Sequence, residues 1–92
     1  MNPVETDATQ IASRIRDYIR QRFKVPEKDP DFTDDVHLFE YGYVDSFGAV
    51  ELTHFVEAEF SIQVTESDMI VHPLNTIDQI AQFVADRRSG QV

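Results

Sequence analysis

The sequence predicts an all-α fold of four helices, with a long loop between the first and second and a short third helix. Three observations carry that reading. Apolar residues recur at helical spacing in separate stretches, Asp or Thr stands where a cap is wanted before three of them, and Pro26, Pro30 and Pro73 interrupt between them. The chain of 92 residues makes one small domain, 1–92, with its folded core expected over about residues 8–88.

Each element follows from its own pattern. From Ala8 to Phe23, the residues Ala8, Ile11, Ala12, Ile15, Tyr18, Ile19 and Phe23 form one stripe, with the arginines mostly opposite. Pro26 and Pro30 end that helix. A polar stretch through Asp35 leads to Val36, Leu38, Phe39, Tyr41 and Tyr43, the expected anchors of the loop. After Asp45 a second helix turns Ala49, Leu52, Phe55, Val56 and Phe60 to the core. Phe47, Val50, His54 and Ala58 form a strip nearer solvent. Ser61 to Val64 alternates like an extended connector, Thr65 caps a short helix to Ile70, and Thr76-Ile77-Asp78-Gln79 has the form of a capping box opening the last helix.

Composition excludes several function classes. There is no Cys, which removes disulfides, Cys-ligated zinc and a protein thiol as nucleophile. Neither a membrane-length apolar run nor a charged-then-apolar leader is present, so a cytoplasmic monomer is the expectation. The net charge of -9 is uneven: from Asp29 to Asp86 no Lys or Arg offsets the acids. Such a surface repels nucleic acid and anionic membrane and suits a partner with a basic surface.

Ser46 is the residue of greatest chemical interest. It follows Asp45 where a turn becomes a helix, which puts an exposed hydroxyl at the end where backbone N–H groups and the dipole favour a phosphate. The plainer role for both residues is capping, which contributes about 1 kcal/mol. A deep active site is not expected in so short a chain, and no His is near Ser46 in sequence, so a modified serine fits better than a catalytic one. His37, His54 and His72 lack metal-ligand spacing. Asp29, Asp31, Asp34 and Asp35 resemble part of a calcium loop, but its glycine and closing glutamate are out of place. No metal site and no glycine-rich phosphate loop are predicted.

Asp45-Ser46-Phe47, followed by Val50-Glu51-Leu52 and Glu57-Ala58-Glu59-Phe60, resembles the Asp-Ser-Leu helix of acyl carrier proteins and of the related peptidyl and D-alanyl carriers. The order of elements from Ile11 to Val84 is similar to that family's four-helix bundle. The resemblance implies a carrier and not an enzyme. Ser46 would hold 4′-phosphopantetheine through a phosphodiester, with Asp45 beside it for capping or positioning, and cargo would ride as a thioester. It further implies a phosphopantetheinyl transferase and an acyl- or aminoacyl-activating ligase or synthase as partners. The docking contacts would be Phe47, Val50, Glu51, His54 and Glu57.

This chain departs from the family in having Ala58 where an acid is common and His54 where an apolar residue is common. Fatty acyl, polyketide, D-alanyl and other aminoacyl cargo all fit the resemblance. The bulk of Phe55, with Phe47, Phe60 and Phe83, gives the expectation of short cargo that stays on the solvent side. The short ends favour a free-standing carrier. The alternatives are an unmodified acidic interaction module and a small calcium-binding helical domain.

Overall fold

The structure, a computed structural model, describes residues 8–90. Within them lie α1 (Ala8–Arg22), α2 (Ser46–Phe60), α3 (Glu66–Val71) and α4 (Ile77–Arg88), and no strand. The all-α expectation holds, with the long loop and the short third helix in the expected places. The third helix runs one residue later than the pattern suggests. Its start carries a full capping box, in which the Asp68 amide donates to Thr65 Oγ1 and the Asp68 carboxylate accepts from the Thr65 amide.

Helix α4 packs chiefly along α1 and more lightly on α2. The α1 stripe puts Ile11, Ile15 and Ile19 at 1 %, 0 % and 0 % exposure, against Ile77 and Val84, both at 0 %. Burying each such side chain is worth about 1.5–3 kcal/mol, so this seam supplies much of the fold's stability. Helix α2 contributes Leu52, Val56 and Phe60 to the same core. All three lie on one side of the helix, which leaves its other faces for the site.

The long loop between α1 and α2 is held by its own side chains and backbone. Leu38 is fully buried and Val44 nearly so. The Leu38 amide donates to the Asn75 carbonyl, and the amides of Tyr43 and Val44 both donate to the Leu38 carbonyl. Arg16 clamps Asp34 with two bonds of 2.9 and 2.8 Å, a geometry that fixes the loop to α1. Tyr41 is not an anchor as expected: it is 65 % exposed. The chain reverses at Gly42, whose φ of +80° suits glycine, and this turn swings Tyr41 outward while Tyr43 turns back in. The Tyr43 hydroxyl then donates to Asp29 at 2.9 Å, and lost hydration together with that bond pushes its pKa up to about 12.

Candidate functional site

Asp45 starts α2 as its N-cap, with extended backbone and Oδ1 accepting from the Gly48 amide at 2.7 Å. The Ala49 amide donates to the Asp45 carbonyl at 2.8 Å. The amides of Ser46 and Phe47 are then the first-turn donors that have no acceptor within the helix itself. Ser46 is exposed on that turn. A phosphate ester on its oxygen would lie at the positive end of the helix, beside those two donors.

Gly48 sets how closely this turn approaches the rest of the molecule. A Cβ there would stand 2.7 Å from the Phe23 ring and 3.0 Å from a Val44 methyl, so the absence of a side chain lets the Ser46 turn sit down on both. Sequence reasoning missed this contact. The available signal was a glycine inside a helix, where it ordinarily costs about 1 kcal/mol relative to alanine.

The strip named from the sequence is present. Phe47 is 84 % and Val50 55 % exposed, and His54 is exposed on the same face. Val50 and His54 share a shallow groove with Met69 of α3. The acids behave differently. Glu51 meets Arg22 at 2.7 Å, Glu59 is paired with Arg14, and Glu57 accepts from the Val64 amide at 2.9 Å. On α3, Asp68 meets Arg87 at 2.7 Å, and this bond with the Thr65 amide holds its carboxyl well below the usual carboxylate range.

Phe55 does not fill the interior as expected. It is half-buried, and its ring stacks on Tyr18 of α1 with centroids 4.0 Å apart. On the opposite side of α2 a cavity of about 210 Å³ remains, walled by Ala49, Leu52, Thr53 and Val56 of α2, Met69 of α3, Ile80 and Phe83 of α4, and Phe39, Val64, Leu74 and Asn75 of the loops. Of the aromatic residues expected to crowd that space, only Phe83 lines it. The Thr53 hydroxyl already donates to the Ala49 carbonyl, and no carboxylate or cation is among the lining residues. Ala49 is one turn beyond Ser46, so the cavity begins close to the serine.

The acids that resembled a calcium loop are used within the fold. Asp29 accepts from the Asp31 amide and the Tyr43 hydroxyl, Asp34 binds Arg16, and Asp35 accepts from Thr33. Among the described residues, no group of three or more His, Asp or Glu is arranged to hold a metal ion. No helix among them is long and apolar enough to cross a membrane.

Comparison with protein families matches residues 13–84 to the phosphopantetheine attachment site domain. Neither the curated proteins nor the solved structures contain a match to the chain.

Proposed function

The chain belongs to the phosphopantetheine attachment family, a family of covalent carriers, and from that premise we propose that Ser46 bears the 4′-phosphopantetheine and that the cargo is an acyl chain. When bound, the prosthetic group supplies the thiol that the chain lacks and holds cargo as a thioester. The residues present fit it: an exposed hydroxyl on the first turn of α2, two backbone donors beside it, and Asp45 turned to cap the turn. The protein itself performs no chemistry in this reading. It raises the effective concentration of its cargo at each enzyme it meets, namely a transferase that installs the arm and a ligase or synthase that loads it. The cytoplasm, where such enzymes and coenzyme A meet, is the setting this implies.

The cavity beneath α2 carries the choice of cargo. At about 210 Å³ it exceeds the ~150 Å³ apolar cavity that takes up benzene, so it has room for a short or medium acyl chain. An aminoacyl group would bring an ammonium into a space whose lining offers it no carboxylate, at a desolvation cost of several kcal/mol. Loading the phosphopantetheinylated protein with acetyl, alanyl and octanoyl groups tests this. Octanoyl is expected to raise the melting temperature and shift the amides of Leu52, Val56 and Ile80, with Tyr18 and Phe55 unmoved. If octanoyl perturbs no more than alanyl does, the acyl reading is wrong.

A further inference from the structure

We infer that the cavity beneath α2 takes an acyl chain that bears a hydroxyl close to its thioester, held between Asn75 and Thr53. The inference rests on the acyl reading of that cavity and narrows it to one class of cargo.

Thr53 and Asn75 are the polar residues among those that line the cavity. Both main-chain groups of Asn75 are taken: its amide donates to Gln79 Oε1 at 2.9 Å, and its carbonyl accepts from the Leu38 amide at 2.9 Å. What Asn75 has left to offer is its side-chain carboxamide, which has no hydrogen-bond partner among the described residues. The start of α4 does not need that group, because Thr76 is the cap and Gln79 closes the capping box. A leucine would complete the apolar wall here, whereas a carboxamide in such a wall is costly until something bonds to it.

The Thr53 hydroxyl gives its proton to the Ala49 carbonyl at 2.8 Å, so toward the cavity it can only accept. Asn75 brings two N–H donors and an acceptor. A hydroxyl on the cargo both accepts and donates, and so can use the two residues at once. A ketone can use Asn75 alone, and a carboxylate or ammonium would find no counter-charge in the lining.

Both residues are tied to backbone on either side of Ser46. The Leu38 residue that binds Asn75 also accepts from the Val44 amide, two residues before the serine, and the Ala49 carbonyl that accepts from Thr53 lies one turn after it. A tethered chain enters tail first, which leaves its thioester end on this side of the cavity. The hydroxyl that meets Asn75 and Thr53 therefore belongs to the first carbons of the chain, and a 3-hydroxyacyl group is the simplest cargo of this kind.

The test is to transfer octanoyl- or 3-hydroxyoctanoyl-phosphopantetheine from the corresponding coenzyme A thioester to the full chain with a phosphopantetheinyl transferase. Melting temperature and the side-chain amide resonances of Asn75 are then read for wild type, Asn75→Leu and Thr53→Val. In wild type both cargoes are expected to raise the melting temperature, to within about 2 °C of each other, and only 3-hydroxyoctanoyl is expected to move the Asn75 carboxamide signals. In Asn75→Leu, octanoyl should stabilise as before while 3-hydroxyoctanoyl falls about 5 °C or more behind it, because the hydroxyl is then buried without a donor. Thr53→Val should show a smaller gap of the same sign. Each comparison is made within one variant, so a general loss of stability cancels; Asn75→Leu keeps both main-chain bonds, Thr53→Val keeps the side-chain shape, and circular dichroism checks that both fold. A hydroxyl that cancels the stabilisation octanoyl gives wild type, or an Asn75→Leu protein that treats the two cargoes alike, would overturn the inference and leave the acyl reading standing. If neither cargo stabilises wild type, the acyl reading itself has failed and the inference falls with it.

Discussion

Phe55 lies flat against Tyr18, with ring centroids 4.0 Å apart and planes 9° from parallel. The stack binds the outer edge of α2 to α1 and keeps this ring out of the cavity on the other side of the helix. Stacked pairs add about 0.5–1.5 kcal/mol beyond their buried area, and Phe55 is only partly buried, so Phe55→Ala is expected to cost about 1–3 kcal/mol, less than a fully buried phenylalanine. Chemical denaturation of the unloaded and octanoyl-loaded forms measures it. The variant should keep whatever stabilisation octanoyl confers on the wild type. Loss of that stabilisation in the variant would mean that Phe55 belongs to the cavity after all.

The direction of Phe55 was not legible from the sequence because α2 has apolar residues on nearly every side. Phe47, Val50, Leu52, Phe55 and Val56 leave no single stripe to count, and only packing against Tyr18 decides where the ring goes. Helix α1 was legible for the opposite reason, since its isoleucines recur on one face with arginines on the other. The caps at Thr65 and Thr76 were also plain, because capping is a local bond between residues three apart. Pairs distant in sequence, such as Arg87 with Asp68 and Arg22 with Glu51, have no local signature. The same limit hid the engagement of the α2 acids with α1, whereas the outward swing of Tyr41 follows from the local turn at Gly42.

Gly48→Ala offers a test of the close approach at the Ser46 turn. In an unconstrained helix the change would stabilise by about 1 kcal/mol. Here the new methyl would meet the Phe23 ring at 2.7 Å, and relieving such a contact costs about 1–3 kcal/mol, so a net loss of stability is expected. Adding Phe23→Leu should recover part of that loss, which a double-mutant cycle in urea would show as a coupling. A more stable Gly48→Ala protein would show that the ring moves aside freely and that the approach is not a constraint.

The Tyr43–Asp29 bond makes stability depend on alkaline pH. A tyrosine whose pKa is raised from 10.0 to about 12 on folding keeps its proton in the native chain while the unfolded chain has already lost it. Its contribution is therefore fully present below about pH 10 and is lost as pH rises toward 12. Tyr43→Phe, which has no proton to lose, should be less stable than wild type at neutral pH and should show a shallower decline over that alkaline range. Urea midpoints measured at intervals across it check the slope. Parallel declines for the two proteins would mean that Tyr43 ionises alike in both states.

The claim that Ser46 is the attachment residue is tested most directly by locating the prosthetic group on the chain. After incubation with coenzyme A and a phosphopantetheinyl transferase, fragmentation of the peptide spanning Glu40–Leu52 should place a single phosphopantetheine on Ser46. Alkylation should then find the one free thiol in a protein that has no cysteine. Ser46→Ala, a substitution at an exposed position, should fold and remain at its unmodified mass. A group found on another residue, or an alanine variant that still gains it, would contradict the account.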